Sequence, residues 1–175
     1  MTESQTDCPM TTRPQRQHEW LQQLAGRWTY ESECIMAPGQ PPMKATGVEE
    51  ARTFGELWVI METTITMEDG AEMRMNLTIG YDPGREQFVG SCACSPMAHL
   101  WVYDSSEWDE SGNTLTLFTE GPSMNPDAAG AMAKYKDVIA LKGKDEREMS
   151  SHMLGDDGQW QHFSTVTYRR KAGSN

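Results

Sequence analysis

The feature that most constrains this chain is a two-residue hydrophobic period that starts at Gly26 and lasts to Arg170. Alternation of that kind is the mark of β-strands with one buried face. Residues 72–81 show it cleanly, with Met73, Met75, Leu77 and Ile79 set against Arg74, Asn76 and Thr78. Turn chemistry breaks the pattern at short intervals. Glu68-Asp69-Gly70, Asp82-Pro83-Gly84-Arg85 and Asp156-Asp157-Gly158 each join two alternating runs, as hairpin turns do. About ten strands result, and no helix of crossover length separates them. Parallel pairing is therefore excluded. A meander this long leaves two exposed edges unless it closes on itself. The expected fold is all-β: a closed or nearly closed up-and-down antiparallel barrel of about ten strands.

Ahead of the strands, residues 16–24 carry Trp20, Leu21 and Leu24 on one helical stripe, and Gly26 supplies the stop. This short helix is expected to cap one barrel mouth. The longest stretch without a period, residues 121–129, is expected to overhang the other. Residues 1–14 read as a disordered tail, 15–171 as a single barrel domain and 172–175 as a frayed tail.

Charge removes several functions. Fifteen Lys and Arg against 26 Asp and Glu give a net −11 over 175 residues. Nucleic acid and anionic membrane surfaces both call for a basic footprint. No apolar run approaches the roughly 18 residues of a transmembrane helix. The polar residues 1–12 do not read as a signal peptide, so the expected location is cytoplasmic. The acidic groups Glu49-Glu50, residues 107–110 and Asp156-Asp157 read as solvated surface. A homo-oligomer formed through an outer barrel face stays open.

Four cysteines are present: Cys8, Cys34, Cys92 and Cys94. On a strand, Cys92 and Cys94 share one face. A metal site would need two further ligands, with Cys34 and one of His99, His152 or His162 as formal candidates. No second paired spacing supports that, so the cysteines read as structural thiols and no metal or cofactor is assigned. Methionine is over-used, at 13 of 175. It either fills irregular gaps or lines a deformable apolar pocket.

A barrel of eight to ten strands encloses a packed core or one ligand cavity. His99, Trp101 and Tyr103 alternate on one strand, expected over residues 97–107, and pair apolar bodies with polar tips, a lining suited to an amphipathic ligand. The expected ligand-binding residues are Trp58, Glu62, Met73, Met75, His99, Trp101, Tyr103, His152 and Tyr168. The polar anchors among them are Glu62, His99, Tyr103 and His152, with Arg169 beside them. Period alone leaves open which face of residues 58–63 points inward. A barrel enzyme (lyase, isomerase or hydrolase) could be assembled on paper from Glu62 with His99 or His152 and Tyr103 or Tyr135 as donor. No nucleophile elbow, phosphate loop or two-histidine helix motif supports it.

The opening Leu24-Ala25-Gly26-Arg27-Trp28 resembles the calycin superfamily, which includes the lipocalins. The resemblance implies that Trp28 closes one barrel end and that an Arg of the last strand packs across it. Arg169 or Arg170 of Tyr168-Arg169-Arg170 would be that residue, with Arg169 as the choice. A closer resemblance covers most of the chain. His18-Glu19-Trp20-Leu21, Gly80-Tyr81-Asp82-Pro83, Leu100-Trp101-Val102-Tyr103 and Lys134-Tyr135-Lys136-Asp137 are similar to a bacterial family of uncharacterised proteins, domain-of-unknown-function family 1579. It implies the single-domain architecture and no catalytic residue. The calycin-like nitrobindins hold haem through one histidine. By that resemblance His99, His152 or His162 would be the iron ligand. The leading expectation is non-covalent binding of a small apolar or amphipathic molecule.

Overall fold

The computed structural model describes residues 11–35, 39–109, 111 and 113–173. The expected disordered tail lies outside the described residues for positions 1–10, and the frayed tail for positions 174–175.

Helix α1 (Arg16–Gln22) opens the fold. It is shorter than the stripe to Leu24 suggests, because Gln23 already caps it. His18 secures its start. Its Nδ1 accepts the Gln15 backbone N–H at 2.9 Å, and its Nε2 lies 3.1 Å from the Tyr81 carbonyl oxygen. Those two contacts fit a neutral ring carrying its proton on Nε2.

Eleven strands follow: β1 (Gly26–Cys34), β2 (Met43–Phe54), β3 (Trp58–Met67), β4 (Glu72–Asp82), β5 (Gln87–Cys94), β6 (Trp101–Tyr103), β7 (Ser105–Trp108), β8 (Thr114–Pro122), β9 (Met132–Leu141), β10 (Glu146–Leu154) and β11 (Trp160–Arg170). They form one antiparallel sheet in the order β6-β5-β4-β3-β2-β1-β11-β10-β9-β8-β7. The first long strand thus pairs with the last, through Trp28↔Arg170 and Tyr30↔Tyr168. A short 3-10 turn, Pro126–Ala128, lies in the β8–β9 connection.

The two sheet ends, β6 and β7, are consecutive in the chain. Residues 101–103 pair with β5 and residues 105–108 pair with β8. One extended segment therefore switches partners at Asp104 and brings the edges together. Where its backbone leaves β5, side chains take over. Phe88 donates its N–H to Ser106 Oγ at 2.9 Å, and Gln87 Oε1 accepts the Ser106 N–H at 2.6 Å. Arg85 donates to the Asp104 carbonyl at 2.9 Å. The barrel is nearly closed, and the single strand expected over 97–107 is instead two.

Alternation sets the inward face. Trp28, Val59, Met61, Leu77, Ile79, Phe88, Leu115, Ile139 and Tyr168 are buried in one continuous core. One irregularity falls between β10 and β11. Ser151 pairs with Ser164 but His152 pairs with His162, so Phe163 is the extra residue of a bulge. Among the described residues, no helix is long and apolar enough to cross a membrane.

Candidate ligand-binding site

The barrel has a sealed end and an open end. At the sealed end, Trp28 donates its indole N–H to the Leu24 carbonyl at 3.0 Å. The guanidinium of Arg170 lies 4.1 Å from the centre of the Trp28 ring. It also donates to the carbonyls of Ala25 at 2.7 Å and Gln23 at 3.1 Å, closing the end of α1. Gly26 makes this approach possible, since a Cβ there would collide with the Arg170 side chain. The Arg that packs across Trp28 is therefore Arg170, correcting the choice of Arg169. Val166, Tyr168 and Arg170 share the inward face of β11, so Arg169 points out, where it meets Glu31 at 3.0 Å and Glu146 at 3.5 Å.

A charged layer crosses the barrel above this seal. Arg147 on β10 forms an ion pair with Glu49 on β2, and both side chains are almost fully buried. Thr63 donates its hydroxyl to the other Glu49 oxygen at 3.1 Å. The Arg147 guanidinium lies 4.7 Å from the Trp28 ring centre and 4.3 Å from that of Tyr168. Hydrogen-bonded pairing with stacking on aromatic faces is how a buried guanidinium is tolerated. Glu49 is thus interior, and the surface reading of Glu49-Glu50 holds for Glu50 alone, which pairs with exposed Arg27.

Beyond that layer the inward-facing residues change character. Ile65 and Ala45 are still buried there, but Ser32, Cys34, Met67, Met73, Met75, Cys94, Ser151, Met153 and Ser164 are half-buried, whereas Val59, Ile79, Phe88 and Leu115 at the sealed end are buried. The inner end of this half-buried band is a polar floor. There Asp137 on β9 accepts a hydrogen bond from the Tyr103 hydroxyl at 2.5 Å and one from the Ser151 hydroxyl at 2.5 Å. Burial pushes the Asp137 carboxyl above its ordinary range, and its two hydroxyl donors offset part of that. Tyr103 is pushed well up, by burial first and then by the Asp137 charge. Cys92 and Cys94 stand beside them. The hydrogen bond between these two thiols raises Cys92 and lowers Cys94.

Rings form the wall above the floor. Trp101 meets Tyr135 edge-on at 5.0 Å and His99 at 5.0 Å. Gly121 leaves space for Trp101, since a Cβ there would strike its ring. Beside the mouth, residues 123–131 and the β10–β11 hairpin enclose a cavity of about 820 Å³, lined by Met124, Met132, Met153 and Phe163 among others. The stretch expected to overhang a mouth does border this one.

The nine expected ligand-binding residues divide. Met73, Met75, Trp101 and Tyr103 line the open half. Tyr168 points inward but below it, against Arg147. His99 sits on the rim, with Nε2 3.0 Å from the Glu120 carbonyl. Trp58, Glu62 and His152 are on the outer face. Trp58 covers Gly80, and Glu62 is exposed. His152 lies against His162 on the outside, the tilted rings 5.2 Å apart, and its pKa is lowered by burial, by Lys136 and by His162. Their parity explains this: Val59, Met61 and Thr63 are the buried set of β3. Glu62 consequently meets neither His99 nor His152, and the paper assembly of an enzyme site does not form. Among the described residues no strand turns a histidine into the barrel, which leaves the haem reading without an inward ligand.

Sequence reasoning missed Asp137, Ser151, Glu49 and Arg147 as site residues. The signal for Asp137 was present. It shares a face with Tyr135 and Ile139, both buried, and a carboxylate on an apolar face is informative.

The model of the family described as "Protein of unknown function (DUF1579)" matches residues 13–170. The chain belongs to this family. No curated protein matches the sequence. Among solved structures, this DUF1579 member is similar to Rv2717c from M. tuberculosis, with a TM-score of 0.59, 13% identity and coverage of 91% of this chain and 99% of that one. It is equally similar to the S-type phycobiliprotein lyase CPES from Guillardia theta, with a TM-score of 0.59, 12% identity and the same coverage of 91% and 99%. At these identities the likeness concerns the fold.

Proposed function

We propose that this protein binds a small amphipathic molecule non-covalently in the open half of its barrel. The carrying observation is the band of half-buried inward-facing residues above the Asp137 floor. Apolar walls with a few convergent polar groups are the chemistry of a small-molecule site. Met67, Met73, Met75 and Met153 supply deformable walls. Tyr103, Ser151 and Asp137 supply the orienting groups.

Nile red, a neutral dye that brightens in apolar surroundings, tests this reading. Saturable fluorescence gain at one dye per chain is expected, with native mass spectrometry of the same sample giving the stoichiometry. Met73→Trp, which places a larger ring on the wall, should remove the signal while far-UV circular dichroism stays unchanged. Absence of saturable binding to the parent protein would overturn the proposal.

A further inference from the structure

Among the described residues, Asp137 is an interior carboxylate without a counter-ion. Each of its oxygens accepts one neutral hydroxyl, from Tyr103 and from Ser151. A carboxylate offers about four lone-pair sites, so about two remain to be filled. The groups that face it are Tyr103 from β6, Ser151 from β10, and Cys92 and Cys94 from β5. None of them is a cation. The neighbouring Lys136 is turned outward, with its ammonium 4.9 Å from the centre of the Trp160 ring. Of the guanidiniums on the inward face among the described residues, Arg147 is held by Glu49 and Arg170 lies at the sealed end over Trp28.

The surroundings complete the argument. Trp101 lies two residues from Tyr103 on the same face, and Tyr135 two residues from Asp137. These two rings meet at 5.0 Å, toward the mouth from the carboxylate. Aromatic faces beside a carboxylate form a setting that favours a desolvated cation. The net charge of −11 draws cations toward the protein from a distance.

We infer that the ligand of the open half carries a protonated amine on an apolar body, with Asp137 as its counter-ion. This rests on the cavity reading above and names its ligand class. The ammonium fills the free lone pairs of Asp137, and the apolar body lies along the methionine wall. A ligand of the opposite charge is rejected, because it would place two carboxylates together in a site of low polarity.

Displacement of Nile red by octylamine, 1-octanol and octanoate at pH 8 separates head-group charge from chain length. Octylamine should displace the dye at a concentration about tenfold lower than octanol, the size expected of one charge-assisted hydrogen bond. Octanoate should be the weakest. Asp137→Asn should bring octylamine to the level of octanol and leave octanol unchanged. Glu50→Gln, which removes an exposed carboxylate at the sealed end, should keep the amine preference. Should Asp137→Asn not fold, the parent protein gives the same answer: acidification should erode the amine preference as Asp137 takes up its proton. Equal displacement by amine and alcohol, or an amine preference that survives Asp137→Asn, would overturn the inference while leaving the cavity in place. Failure of Nile red to bind would remove the cavity and this inference together.

Discussion

Arg147→Met strips the cation from Glu49 in the middle of the barrel. The cost follows from the surroundings. The Arg147 and Glu49 side chains are 3% and 1% exposed, so water does not replace the lost partner. Among the described residues, Glu49 then keeps only the Thr63 hydroxyl, at 3.1 Å. Truncating one side of a buried ion pair costs about 3–5 kcal/mol. Stacking on Trp28 and Tyr168 is lost as well, although the methionine stem refills part of the volume. A loss of about 4 kcal/mol is a large share of a stability of about 5–15 kcal/mol. With a urea slope of about 2 kcal/mol/M, the midpoint falls by about 2 M. Glu49→Leu should be costly for the mirror reason. The double variant Glu49→Leu/Arg147→Met removes both charges and should lie within about 1 kcal/mol of the parent. Urea titrations followed by tryptophan fluorescence and by far-UV circular dichroism must coincide for these values to hold. An Arg147→Met loss below about 1 kcal/mol would refute the reasoning, because it would mean that water reaches this layer. A double variant no better than the single ones would do the same.

The other predictions concern the two ends of the barrel. Arg170→Ala removes the cation stacked on Trp28 and three carbonyl contacts, and should cost about 2–3 kcal/mol in urea denaturation. Arg169→Ala breaks only exposed pairs and should cost under about 1 kcal/mol; equal losses would show that the seal is not Arg170's. Asp137 sets a pH dependence of known sign. Its carboxyl is raised in the folded state, so the folded protein still holds the proton where the unfolded chain has lost it. Stability from this group is therefore present at low pH and is lost as pH rises from about 4 through the raised value. Asn cannot ionise, so the melting temperature of Asp137→Asn should gain on that of the parent between pH 4 and pH 8. A gap that shrinks with rising pH would show that a hidden counter-ion holds Asp137.

Most of the barrel was legible because its strands obey one period and its turns carry their own chemistry. The splitting of residues 97–107 was not legible. Nothing local at Asp104 says that the backbone must leave β5 for β8; the requirement comes from the distance between two edges. The inward face of β3 was recoverable in principle. Met73, Met75, Leu77 and Ile79 mark the apolar face of β4, and the hairpin register pairs them with Ile65, Thr63, Met61 and Val59. Carrying that register across the Glu68-Asp69-Gly70 turn excludes Trp58 and Glu62. His152 and Arg169 went astray similarly, since their chemistry was attractive and their parity was wrong. Glu49 and Arg147 are a different case. They are 98 residues apart, and no sequence rule brings them together before the barrel closes.

The position of methionine bears directly on the choice between filler and pocket. Filler belongs where packing must be completed. In the sealed half that task falls to Val59, Ile79, Phe88, Leu115 and Ile139, all buried. Met61 and Met149 sit near the charged layer, Met61 with its sulfur 3.5 Å from Arg147. Met67, Met73, Met75 and Met153 instead face inward where the barrel admits solvent, and Met97, Met124 and Met132 lie around the same end. Met67, Met73 and Met75 pack against the core with part of their surface still open to water, and that remaining exposure brings no packing advantage to the empty protein. It gains one when an apolar body enters and the thioethers close around it. The residue type that looked like loose core material in the sequence is concentrated at the end of the barrel where the core gives way to a half-buried band.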